Sequence, residues 1–191
     1  MVQNLTANQI GGRAIGALFF TGFGAIWLLL GLYAKQRLTA APLSLTACGL
    51  LALASGAFFL LRRAKALPGV PEDPAMVRAF KWINIIQWAA VAVVAFAFAR
   101  FGIDVYVISA ITAIVGLHMF PLARVFRYPM HYVTGAALVG WAAASLLLFA
   151  KDEMQGSTAL GTGLILWLSA LITLALAVRA VRAPATLNSV Q

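Results

Sequence analysis

The chain has 191 residues, of which 63% are apolar and 10% charged, a mean hydropathy of +0.94 and a formal net charge of +9. An average soluble domain is roughly half apolar and about a quarter charged, and one of this length has more surface than so few charges could cover. An ordinary cytosolic domain, a disordered chain and a disulfide-stapled secreted module are thereby excluded, which leaves a polytopic membrane protein.

Crossing a bilayer core by helix takes about 20 apolar residues, and six stretches qualify. Met1 to Gln9 is polar and has no Lys or Arg, and the apolar run after it is too long for the core of a signal peptide, so no cleavable signal is expected. The sequon Asn4-Leu5-Thr6 has no meaning on a cytoplasmic N-terminus. The first span covers 10–34. The second, 40–61, has Thr39 as its N-cap and Pro42 in its first turn. It holds Cys48, the one cysteine, which rules out an internal disulfide or a cysteine metal cluster and reads as a small packing residue.

The stretch from Arg62 to Lys81 contains Pro68-Gly69, Pro71 and Pro74 and reads as a linker, with Asp73-Pro74 as the cap that opens the third span, 79–99. Asp104 is expected to cap the fourth, 104–120. Pro121 would clash with the Leu117 carbonyl, so that helix should kink or end beside His118. Pro129 opens the fifth span, 131–150; Ser157 is expected to cap the sixth, 157–179; Pro184 lies beyond it. The reading is an all-α bundle of six transmembrane helices, three antiparallel hairpins in a single transmembrane domain over 1–191.

Orientation follows from the basic residues. Arg13, Arg62, Arg63, Lys65, Arg78, Lys81, Arg124, Arg127, Arg179 and Arg182 fall on the side of the termini, against Lys35, Arg37, Arg100 and Lys151 on the other. The positive-inside rule then puts both termini in the cytoplasm. The same thin spread at helix ends, with no basic face or cluster, speaks against a nucleic-acid partner despite the net charge.

Two patterns bear on packing. Tyr33-Ala34-Lys35, Phe98-Ala99-Arg100 and Phe149-Ala150-Lys151 close the first helix of each hairpin, with Trp27, Trp88 and Trp141 upstream. That is the mark of a threefold repeat, or of the aromatic belts and snorkelling bases that end most membrane helices. Gly12 and Gly16, Ala52 and Gly56, and Ala136 and Gly140 have small-xxx-small spacing, which suits close helix approach inside the monomer or in a homo-oligomer.

Polar groups within a span are costly, so function is sought there. Lys81, Asn84, Gln87 and Trp88 fall within about 120° on one face of the third helix. The fourth brings His118 and Arg124 to the same depth, and the fifth opens Tyr128-Pro129-Met130-His131-Tyr132 with Thr134 a turn deeper. Lys81, Arg124 and Arg127 would supply charge, Asn84, Gln87 and His118 would orient a ligand, and His131, Tyr132 and the tryptophans would complete a cytoplasm-facing pocket for an anion or polar headgroup. Interhelical hydrogen bonds and interfacial anchoring explain the same residues without a ligand.

His118 and His131 alone do not make a closed metal site, and no cofactor is called for. Catalysis has less support still. The acids are Glu72, Asp73, Asp104, Asp152 and Glu153; none is paired on a helix face, and no nucleophile elbow or phosphate-binding glycine loop is present. The chain is not expected to be an enzyme.

The segments Gly116-Leu117-His118-Met119-Phe120-Pro121-Leu122-Ala123 and Tyr132-Val133-Thr134-Gly135 resemble a stretch of uncharacterised small multi-pass bacterial membrane proteins. The resemblance covers residues 116–135, implies a bacterial inner membrane and carries no activity. Two functions stay open: a small-molecule or ion transporter or ligand-binding membrane protein, and a non-catalytic accessory or assembly protein whose polar groups only hold helices together; the lipid bilayer is the expected partner in either.

Overall fold

The computed structural model describes residues 6–68 and 73–182; Asn4, Gly69, Pro71, Glu72 and Pro184, named above, lie outside them. Among the described residues the elements are α1 (Ala7–Ala34), α2 (Ala40–Lys65), α3 (Pro74–Phe101), a 3-10 turn (Asp104–Tyr106), α4 (Val107–Val125), α5 (Met130–Leu148) and α6 (Lys151–Arg182). Six helices are long and apolar enough to cross a membrane; the chain is an all-α polytopic membrane protein. Thr6 and Arg182 lie at one end of the bundle, called proximal below, as an even number of antiparallel helices requires.

Helix starts follow local chemistry. Thr6 and Gln9 close a reciprocal capping box on α1, the Gln9 amide donating to Thr6 Oγ1 at 3.3 Å and the Thr6 amide to Gln9 Oε1 at 3.0 Å. Asp73 accepts from the Ala75 amide at 2.9 Å, with Pro74 in the first turn of α3. Thr39 holds the N-cap position of α2 with extended backbone but makes no side-chain cap bond.

Three expected boundaries move. Asp104 is not a cap: Ile103 precedes the 3-10 turn, and the Asp104 carbonyl accepts from Gln155 at 3.1 Å. Ser157 is buried inside α6, which starts at Lys151 because Asp152 and Glu153 suit the positive end of the helix dipole. The fourth helix runs through Pro121 to Val125; Pro121 is exposed on its flank, where the ring displaces no packed neighbour.

Each sequential hairpin packs, and α1 also lies along α6 and α4 along α5. The α1–α6 seam is built of small residues seven apart: a Cβ on Gly163 would stand 2.8 Å from the Gly24 carbonyl oxygen, and one on Gly31 2.9 Å from that of Gly156. Gly116 and Gly135 bring α4 and α5 together in the same way. Of the small-xxx-small faces, Gly12, Gly16 and Gly140 look onto open space, and only Gly56 meets another helix, at Leu174. A seven-residue period is the repeat of left-handed antiparallel crossings, whereas four-residue spacing favours the steeper right-handed ones.

Two tryptophans repeat one device. Trp167 of α6 lies on Gly24 and donates Nε1 to the Thr21 carbonyl at 2.9 Å; Trp141 of α5 lies on Gly161 and donates to the Thr158 carbonyl at 3.0 Å. In each case the glycine clears room for the indole and the acceptor sits three residues before it. The proposed threefold repeat does not extend to surroundings: Trp27 is buried, Trp88 is 55% exposed, and Phe149-Ala150 forms the α5–α6 link rather than a helix end.

Candidate functional site

Apart from Tyr128 and Thr134, the buried polar groups lie where the sequence reading did not look. On α6, Thr158, Thr162, Ser169 and Thr173 fall within about 60° of helix face at 100° per residue, and each meets a hydroxyl from the facing wall. Ser109 and Ser145 are 2.9 Å apart, with Thr158 3.5 Å from Ser109; Thr112 and Thr162 are 2.9 Å apart; Thr134 donates to Ser169 at 2.9 Å; Tyr128 donates to Thr173 at 3.2 Å. Ser145, Thr158 and Thr162 also donate to carbonyls of their own helices. The hydroxyls of this seam are satisfied by one another, so it is cross-bracing between α4, α5 and α6 and not the lining of a water path.

The residues singled out from sequence lie on the flank, in the proximal half. α3 has no buried residue and packs chiefly on α4. Lys81 is exposed. Asn84 turns its amide back to the Phe80 carbonyl at 2.8 Å. Gln87, at the middle of α3, is half-buried and makes no hydrogen bond among the described residues. His118 is half-buried, its Nδ1–H donating to the Val115 carbonyl at 2.7 Å, which leaves Nε2 as an acceptor. Arg124 is exposed in the last turn of α4, and Tyr132 stacks at 6.1 Å on Phe120. Thr134 belongs to the seam.

His131 is half-buried among aromatic rings. Its Nδ1 is buried without a partner, and three rings surround it: Tyr128 at 5.1 Å, Phe20 at 5.8 Å and Phe126 at 6.2 Å. From Phe126 the chain of rings continues to Phe80 of α3 at 5.6 Å, and Trp88 of the same helix returns to Phe23 of α1 at 6.4 Å. Two separate ring pairs therefore reach α3, one from Phe126 at the end of α4 and one from Phe23 of α1. α1 and α3 make no substantial backbone contact, and the Phe23–Trp88 ring pair bridges them.

Among the described residues no group of three or more His, Cys, Asp or Glu could hold a metal ion. Phe20, Phe80 and Phe126 escaped the sequence reading because aromatics on apolar helices carry no signal of which neighbour they meet. The α6 hydroxyl spacing was a readable signal. Comparisons with protein-family models, curated proteins and solved structures give no match to this chain.

Proposed function

We propose that this is a ligand-binding protein of a bacterial inner membrane, with both termini in the cytoplasm, rather than an enzyme or a channel through its own centre. The ligand site is the cleft between α1 and α3, and its contacts come from Lys81, Asn84, Gln87, His118, Arg124, His131 and Tyr132. The observation that carries this reading is the set of rings around the His131 imidazole, with further ring pairs reaching α3 from Phe126 and from α1, between helices α1 and α3 whose backbones stand apart. Apolar walls with a few placed polar groups are what small-molecule sites use. The paired hydroxyl seam supports binding over conduction, since it offers no unpaired polar lining. The ten basic residues at the proximal end support the orientation.

Cysteine access tests the reading. In Cys48→Ser/Gln87→Cys, studied in inside-out vesicles, a membrane-impermeant thiol reagent should label position 87 at a rate near that of Lys81→Cys and well above that of lipid-facing Val93→Cys. Labelling of Lys81→Cys with none at 87 overturns the water-accessible cleft.

A second reading rests on Gln87 itself. An amide without a partner at the middle of a membrane helix is costly, and a partner protein's helix laid on α3 would satisfy it, as in an accessory or assembly protein. In that case Gln87→Cys stays unlabelled in the native membrane and becomes reactive after purification in detergent. A homo-oligomer would have the open faces of Gly12, Gly16 and Gly140 for its contact. Nucleic acid has no place in either reading.

A further inference from the structure

Of the ten basic residues at the proximal end, all of them described, only Arg13 is half-buried rather than exposed. Arg62, Arg63 and Lys65 of α2, Arg124 of α4, and Arg179 and Arg182 of α6 lie in last turns, where the helix dipole favours positive charge. Arg78 and Lys81 are exposed at the start of α3. Arg13 differs from all of these. It lies in the second turn of α1, is half-buried, and makes neither a hydrogen bond nor an ion pair among the described residues. Its guanidinium carbon stands 4.7 Å from the centroid of the Tyr128 ring.

That ring is a fixed platform. Tyr128 is 8% exposed, its hydroxyl donates to Thr173 of α6, and its amide donates to the Ala123 carbonyl at 3.1 Å, closing the end of α4. A cation–π contact fixes the plane of a guanidinium but uses none of its N–H groups. Among the described residues the only acid at this end is Asp73, already engaged as the cap of α3. A held, partly desolvated guanidinium with its donors unfilled is suited to the planar, bidentate recognition of a phosphate. Basic sites between membrane helices at this level take anionic headgroups.

We infer that Arg13, seated on Tyr128, binds the phosphate group of an anionic phospholipid or a free phosphate at the proximal face. The site adjoins the α1–α3 site through Tyr128, which also packs on His131, but neither Arg13 nor Tyr128 is a ligand contact there and Gln87 labelling does not report on Arg13.

The test uses the full chain in detergent, titrated with phosphatidylglycerol or phosphatidylcholine and read by native mass spectrometry. Phosphatidylglycerol should bind in preference to phosphatidylcholine. Arg13→Gln should weaken phosphatidylglycerol by about tenfold, as expected for losing charge-assisted hydrogen bonds. Arg13→Lys keeps the charge and loses the fork, so it should fall between the two; being the milder change, it decides the question if the glutamine variant does not fold. Arg179→Gln should change affinity less than about twofold, as a screened surface charge does. Equal binding of the two lipids, no loss in the Arg13 variants, or an equal loss in Arg179→Gln overturns the site. Displacement by millimolar inorganic phosphate assigns it to free phosphate; resistance to displacement assigns it to the lipid.

Discussion

Gly24 of α1 and Gly163 of α6 meet backbone to backbone: a Cβ on Gly163 would lie 2.8 Å from the Gly24 carbonyl oxygen, and one on Gly24 would lie 3.1 Å from the Gly163 carbonyl oxygen. Neither obstacle is a flexible side chain that could turn aside. Gly163→Ala should therefore push the helices apart and cost about 1–3 kcal/mol, the range for overpacking. Gly140→Ala, with open space around the added methyl, should leave stability unchanged or raise it slightly through better helix propensity. Thermal unfolding of both variants in one detergent checks the contrast, and equal shifts would remove the α1–α6 seam as the organising contact.

The hydroxyl seam makes a prediction about coupling. Thr112 is fully buried, and among the described residues its side chain's only hydrogen-bond partner is Thr162, whereas Thr162 also donates to the Thr158 carbonyl. Thr162→Val should strand the Thr112 hydroxyl and cost about 1–2 kcal/mol. Adding Thr112→Val removes the stranded group, so the double variant should lose less than the sum of the singles, by about 0.6–1.7 kcal/mol, as measured for hydrogen bonds between membrane helices. Additive losses in a double-mutant cycle would mean that the two hydroxyls act alone.

The sequence discloses the six spans because a bilayer sets their length, and because Asp73-Pro74 and Pro129 are strong punctuation. It discloses less about which helices touch. The three short links give the hairpins, yet α1 lies along α6 across nearly the whole chain, and the glycines that permit this are seven apart rather than four. The candidate residues on α3 are legible as polar positions in an apolar helix. Their place on an unburied flank is not, since every helix here is apolar around its circumference and shows no preferred inner face. His131 and Tyr128 stood out as polar types, and Phe126 and Tyr128 lie within five residues of His131, but the third ring, Phe20, comes from α1, and no local spacing encodes that meeting.

Thr21 presents the reverse case to the seam. Its Oγ1 is buried with no hydrogen-bond partner, although its carbonyl accepts from Trp167. Valine has nearly the same shape and nothing to satisfy. Thr21→Val should stabilise the protein by about 1 kcal/mol, the recovered cost of an unmade hydrogen bond. A lower melting temperature for this variant would mean that the hydroxyl has a partner in the membrane-embedded protein.

Three helix ends close with the same pair of backbone bonds, and only one of them uses glycine. After α3, Gly102 takes the left-handed conformation at φ 65°; after α1 and α4 the equivalent positions are Gln36 at φ 53° and Arg127 at φ 48°. A side chain there costs about 1 kcal/mol relative to glycine, because its Cβ crowds the backbone. Gln36 and Arg127 are both exposed, so their side chains have little packing to lose. Gln36→Gly and Arg127→Gly should each raise stability by up to about 1 kcal/mol, and Gly102→Ala should lower it by a similar amount. Because Arg127 precedes Tyr128, the comparison also bears on the platform beneath Arg13. A gain at Gln36 with a loss at Arg127 would show that the Arg127 side chain stabilises the α4–α5 turn by more than its backbone strain costs.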